Sequence, residues 1–177
     1  MTLEVLTPEN APQAARPLLE KAREKYGFVP NILGVMANSP ALLEAYITLS
    51  GIFEKTAFSP AEKQLVLLGA SIENGCDYCT AAHSAIARMQ GVDGSLIEAA
   101  VEGQPLPDQR LDALYRFTRT MVRTRGRPSD EDLKTFLDAG YRESQVQDVI
   151  VGIALKTLSN YNNHLAGTPI DDAFRAS

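Results

Sequence analysis

Glu73-Asn-Gly-Cys-Asp-Tyr-Cys-Thr-Ala-Ala-His83 holds both cysteines of the 177-residue chain and one of its two histidines. Asn74-Gly75 has the composition of a helix end, and the run from Cys76 to Met89 contains neither glycine nor proline. A new helix is therefore expected to open at the first cysteine. Both sulfurs then fall in its first turn, where unsatisfied N–H groups and the positive end of the helix dipole favour a thiolate. The leverage is large, since a thiol of pKa near 8.5 is about 3% ionised at pH 7 and one of roughly 6.5 about three quarters. His83 follows Cys79 by four residues and so shares its helical face one turn on, placed to take or return a proton. Helix-dipole reasoning alone allows either cysteine to be the reactive one.

Outward from this stretch the chain reads as helices. On the N-terminal side, Leu18, Leu19, Ala22 and Tyr26 predict a helix over 17–26, and Ile32, Leu33, Val35 and Met36 a short one over 30–37. Ser39-Pro40 and Ser59-Pro60 each read as an N-cap followed by a proline at the first helical position, opening helices over 40–54 and 60–73. The second of these carries Leu65, Val66, Leu67, Leu68 and Ile72, too apolar on too many sides for a surface helix, and should be central. Beyond the cysteine helix over 76–89, helices are expected over 94–102, 108–124, 130–138 and 143–163, with Ser129 and Asp132 as a capping box. The last helix, rich in Val146, Val149, Ile150, Val151, Ile153 and Leu155, is apolar around most of its girth and so belongs in the core, at a subunit interface, or in both. No stretch alternates like a strand and no repeat has a fixed period, so the fold class is all-α, with residues 1–177 as a single domain.

The formal net charge of −5 argues against unspecific binding to nucleic acid or an anionic membrane, both of which need clustered Lys and Arg. Neither a leader segment nor an apolar run of the ~20 residues that span a bilayer is evident, and a cytoplasmic location is expected. In that reducing setting a C-x-x-C pair reads as redox-active or metal-binding rather than as a static staple. Cys76, Cys79, His83 and His164 are four zinc ligands in kind, although structural sites usually recruit two tightly spaced pairs. Tyr46, Tyr115 and Tyr161 sit at core spacing and read as packing.

Gly27-Phe-Val-Pro-Asn-Ile-Leu33, Asn38-Ser-Pro40, Ser59-Pro-Ala-Glu62, Asn74-Gly-Cys-Asp-Tyr-Cys-Thr-Ala-Ala-His83 and Asn160-Tyr-Asn-Asn-His-Leu-Ala-Gly-Thr-Pro169 resemble the AhpD-like alkylhydroperoxidases, in the peroxidase-related branch of the carboxymuconolactone decarboxylase superfamily. The resemblance covers residues 17–172. It implies an AhpD-like helical bundle, a trimer or hexamer, no metal or organic cofactor, and reduction of hydroperoxides by the C-x-x-C pair. It further implies an external dithiol reductant, a lipoyl-bearing or thioredoxin-like protein. The family motif is a glutamate, eleven residues, then C-x-x-C-x-x-x-H. On this chain it falls on Cys76, Cys79 and His83, with Gln64 at the glutamate position and Tyr78 where some members have a second histidine.

Gln64 is a departure with chemical consequences, because a neutral amide cannot accept the thiol proton that the family carboxylate draws away. Glu62 lies about 200° from it around the helix, and Glu73 near the helix junction. Either is a candidate substitute, or Gln64 orients His83 and leaves proton removal to it. His164 ends an apolar helix one turn after Asn160, where an imidazole also serves as a cap of backbone carbonyls. The resemblance makes Cys79 the attacker and Cys76 the resolving thiol. Two other readings stand beside it: a lactone decarboxylase of the superfamily's name-giving kind, which does not need the thiol pair, and a non-enzymatic redox-sensing or zinc-binding helical oligomer.

Overall fold

The computed structural model describes residues 3–175, so residues 1, 2, 176 and 177 of the expected 1–177 unit lie outside the described residues. Within them the chain forms α1 (Arg16–Tyr26), α2 (Asn31–Met36), α3 (Pro40–Phe53), α4 (Pro60–Glu73), α5 (Asp77–Met89), α6 (Gly94–Glu102), α7 (Gln109–Arg123), α8 (Asp130–Asp138) and α9 (Glu143–Ala166). A single 3-10 turn, Asp172–Phe174, follows. No strand occurs among the described residues, and none of their helices is long and apolar enough to cross a membrane. The all-α expectation holds, with helix ends within three residues of those read from the sequence.

Local chemistry sets those ends. Ser39, Ser59 and Ser129 each accept a hydrogen bond from a first-turn N–H, and Glu62 and Asp132 complete capping boxes with the latter two. At the junction that matters most, Gly75 takes a φ of 67°, which L side chains rarely adopt. The Gly75 N–H then donates to the Ile72 carbonyl at 3.0 Å and the Cys76 N–H to the Ser71 carbonyl at 2.9 Å. This pair of bonds closes α4 and turns the chain so that Cys76 becomes the N-cap of α5. The first helical residue is Asp77, one later than expected.

α4 is central, packed against α5, α7 and α9, and its residues from Gln64 to Ser71 are all buried. The expectation for α9 needs correction. Its inward face is substantially polar, burying Gln145, Lys156, Ser159, Asn160 and Asn163, while Ile150, Tyr161 and Leu165 point outward at 48%, 59% and 65% exposure. α9 approaches its neighbours closely at Gly152, where a Cβ would lie 2.5 Å from Val66 Cγ1 and 2.9 Å from Phe53 Cε2.

That contact supports a direct test. In an open helix Gly→Ala adds up to about 1 kcal/mol of stability. At Gly152 the methyl meets two fully buried side chains that have nowhere to go, and such overpacking costs about 1–3 kcal/mol. Gly152→Ala should therefore lower the thermal midpoint, and a raised midpoint would show that the helices separate easily there.

Candidate functional site

The two sulfurs lie in a hydrophobic cluster built by α1, α2, α3 and the first turns of α5, and both cysteines are buried. Cys79 lines a cavity of about 250 Å³ that Cys76 does not reach. The walls are mainly aromatic and aliphatic, with Tyr26, Phe28, Tyr46, Tyr78, Met89 and Phe174 prominent, and His83 and Lys156 supply polar groups.

Three helices position the chemistry. From α9, Asn163 Nδ2 donates to Cys79 Sγ at 3.3 Å and more weakly to Cys76 Sγ at 3.7 Å, while its Oδ1 accepts from Thr168 Oγ1 at 2.6 Å. One amide thus holds both sulfurs and the start of the C-terminal segment. That segment lies against α5, where Asp171 accepts from the Tyr78 hydroxyl at 2.5 Å and from the Asn31 N–H at 3.1 Å. Phe174 packs edge-on against the Tyr78 ring.

Lys156, also from α9, is 1% exposed, and its Nζ donates to His83 Nε2 at 2.9 Å. His83 Nδ1–H donates in turn to Gln64 Oε1 at 3.0 Å, and Gln64 Nε2 to Gln90 Oε1 at 3.1 Å. The chain of bonds fixes the tautomer: Nε2 must be unprotonated to accept from an ammonium, so the proton sits on Nδ1. Burial and the neighbouring Lys156 charge both push His83 well below its ordinary value, so it is a neutral imidazole.

The thiols are held unequally. A hydrogen bond from the Cys76 thiol, together with the Lys156 charge, holds Cys79 below the ordinary thiol range against the opposing effect of burial. The same bond to Cys79, burial and the nearby negative charge push Cys76 up. These directions favour Cys79 as the thiolate and Cys76 as the protonated donor beside it. The expected lowering of one thiol is present, but the neighbouring thiol and lysine lead it. Burial also pushes up the phenols of Tyr46 and Tyr78, which stay protonated.

Of the other candidates, Glu62 and Glu73 are engaged elsewhere. Glu62 caps α4 and pairs with Arg110 at 2.5 Å, and Glu73 pairs with Arg119 at 2.8 Å. Neither replaces the missing carboxylate. His164 is exposed, facing the Tyr161 ring, so it joins neither the thiols nor a four-ligand metal set. Among the described residues no three His, Cys, Asp or Glu side chains gather as metal ligands. Tyr161 is also outside, contrary to its reading as core, whereas Tyr115 is buried with its hydroxyl on the Ala100 carbonyl. Lys156 was missed. Its signal was a polar line of Lys156, Ser159 and Asn163 at helical spacing along an otherwise apolar helix.

Residues 40–104, which span α3 to α6 and so include the cysteine helix, match the sequence model of the carboxymuconolactone decarboxylase family. The chain has an AhpD-like fold, and its segment 40–104 is similar to that family. Its structure is similar to the alkylhydroperoxidase AhpD core of an uncharacterized peroxidase-related protein from Ralstonia eutropha JMP134, with a TM-score of 0.85 and 20% identity over 97% of this chain and 92% of that one. A peroxidase-related protein from Silicibacter sp. TM1040 gives 0.84 and 22% over 99% and 94%. A cysteine-to-alanine variant of the debrominase Bmp8, in complex with 2,3,4-tribromopyrrole, gives 0.83 and 22% over 99% and 94%. No curated protein matches the chain.

The inequality of the thiols predicts a pH profile. A lowered pKa favours the ionised form, so Cys79 of the reduced folded protein should react with iodoacetamide with a half-maximal rate well below the free-thiol value of about 8.5. Cys76 should remain unlabelled over the same range. Peptide mapping that finds Cys76 labelled first, or a Cys79 half-maximum at or above about 8.5, would reverse the assignment.

Proposed function

We propose that the protein is a thiol-dependent peroxidase and disulfide oxidoreductase that reduces hydroperoxides through Cys79 and Cys76. The observation that carries this reading is one sulfur, Cys79, on the wall of an apolar cavity, with the second, Cys76, held behind it by the same Asn163 amide. The Cys79 thiolate attacks the terminal oxygen of the peroxide, the O–O bond breaks, and Cys79 becomes a sulfenic acid while alcohol is released. Cys76 displaces the hydroxyl as water and a disulfide forms. An external dithiol, lipoyl-bearing or thioredoxin-like, then returns both thiols by exchange. His83 and Gln64 act one step back as positioning groups, since both ring nitrogens of His83 are already engaged. The thiol pair carries both electrons, so the scheme needs neither metal nor organic cofactor. A pair that must be reduced in each cycle fits the cytoplasm.

A lactone decarboxylase has no use for paired thiols, and their placement together, with Cys79 on a cavity wall, weighs against that reading. The similarity to a debrominase with a bromopyrrole complex, together with the aromatic walls here, favours a second substrate class for the same thiols. In that reading two electrons from the pair replace a ring halogen by hydrogen and release halide. Bromide release from a bromopyrrole in the presence of dithiothreitol, without peroxide consumption, would select it.

The peroxidase cycle assigns distinct phenotypes. Cys79→Ser should abolish peroxide consumption driven by dithiothreitol. Cys76→Ser should allow one rapid turnover and then stop, leaving a sulfenic acid that dimedone traps. An inert Cys76→Ser with an active Cys79→Ser would exchange the two roles.

We also read the protein as a homo-oligomer, a trimer or hexamer in line with the AhpD-like resemblance. The support is the outward stripe of α9, with Ile150 and Tyr161 on a groove whose other wall is Met121 and Val122 of α7. Such surface is usually covered by another subunit. Ile150→Asp should reduce the mass seen by light scattering, and a wild-type monomer at micromolar concentration would refute the assembly.

A further inference from the structure

Breaking the O–O bond of an alkyl hydroperoxide leaves an alkoxide, a strong base that must be protonated as it departs. The groups first expected to handle protons do not serve here. Gln64 has an amide, and His83 is neutral with Nδ1 and Nε2 both engaged, at 3.0 Å to Gln64 and 2.9 Å to Lys156. The Tyr78 hydroxyl is already donated to Asp171. Lys156 is different: its side chain is buried and lines the same cavity as the attacking sulfur of Cys79. Three N–H bonds are available to it, of which His83 uses one.

Resting on the peroxidase reading, we propose that Lys156 is the catalytic acid of this site, giving a proton from Nζ to the alkoxide as the O–O bond breaks. The step balances. The Cys79 thiolate and the hydroperoxide, with one proton from the ammonium, give the Cys79 sulfenic acid, the alcohol and a neutral lysine amine. Sulfur loses two electrons and the peroxide gains them. When Cys76 closes the disulfide, its thiol proton leaves with the hydroxyl as water. The amine stays neutral until an external dithiol restores the thiolate and its paired ammonium. Neutral His83 suits this role, because it accepts a bond from Nζ without competing for the negative charge of Cys79. The titratable and charged groups facing the same cavity are Cys79 and His83 from α5, Tyr46 from α3, Tyr78, and Lys25 and Tyr26 at the outer end of α1. Tyr46, a half-buried donor, is a phenol whose acidity desolvation weakens further.

The test separates proton donation from thiolate formation by leaving group. Cumene hydroperoxide expels an alkoxide, whereas peracetic acid expels a carboxylate that needs no proton. Both peroxides are compared in wild type, Lys156→Met and Lys156→Arg, at a pH where alkylation shows Cys79 ionised in all three. General acids contribute roughly 10²–10⁴-fold, so Lys156→Met should lose at least about 100-fold with cumene hydroperoxide and less than about fivefold with peracetic acid. Lys156→Arg keeps the positive charge but holds its protons too tightly to give one up, and should show the same selective loss. It also carries the test should the methionine variant fail to fold. Equal losses with both peroxides in the folded variants, or unchanged cumene hydroperoxide turnover, would overturn the acid role and leave the thiol cycle standing. A wild type inert towards both peroxides would instead overturn the peroxidase reading, and the acid role with it.

Discussion

A lysine ammonium with 1% exposure is the constraint on which this site depends. An unpaired buried charge costs several kcal/mol, so the fold must give Lys156 an anion or a strong acceptor. It gives the Nε2 lone pair of His83 at 2.9 Å and sets the Cys79 sulfur on the wall of the same cavity. The dependence runs in both directions. The Lys156 charge favours the thiolate form of Cys79, and an anion on the same cavity wall offsets the cost of burying that charge. The seating of α9 makes the meeting possible. Gly152, one turn before Lys156 on the same face, lets the helix approach Val66 of α4 and Phe53 of α3 closely.

The same helix shows how a site can be buried without being dry of polar contacts. Lys156 and Asn163 lie along a single face and serve His83 and the two sulfurs from it. Asn163 then ties the thiols to Thr168, and Asp171 ties the C-terminal segment to Tyr78 and to the start of α2. Side chains far apart in the chain therefore hold the cavity wall in one arrangement. A rigid wall fixes which sulfur faces the substrate and which waits behind it.

Local features were legible in the sequence. The serine caps at 39, 59 and 129, the Asn74-Gly75 stop and the helical spacing of apolar residues act within a turn or two, so the helices lie where those signals put them. The cysteine pair and His83 share one helix and were legible for the same reason. What depended on tertiary contact was not. Nothing in the composition of α9 says which face turns inward, and the reading of an apolar helix missed that its polar line is buried while Ile150, Tyr161 and Leu165 face out. Glu62 and Glu73 were plausible substitutes for a carboxylate until their partners, Arg110 and Arg119, were placed beside them by α7. The Tyr78–Asp171 bond joins residues 93 positions apart and leaves no local trace.

The central claim is that Lys156 and Cys79 form a buried ion pair in the reduced protein. The most direct measurement is thiolate absorbance against pH for the reduced wild type and Lys156→Met, both shown to be folded. If the pair exists, the wild-type thiolate appears well below about 8.5 and the variant's curve moves up by at least about one unit, equivalent to about 1.4 kcal/mol of lost stabilisation of the anion. Superimposable curves would contradict the pair, and with it the account of how this site makes a nucleophile.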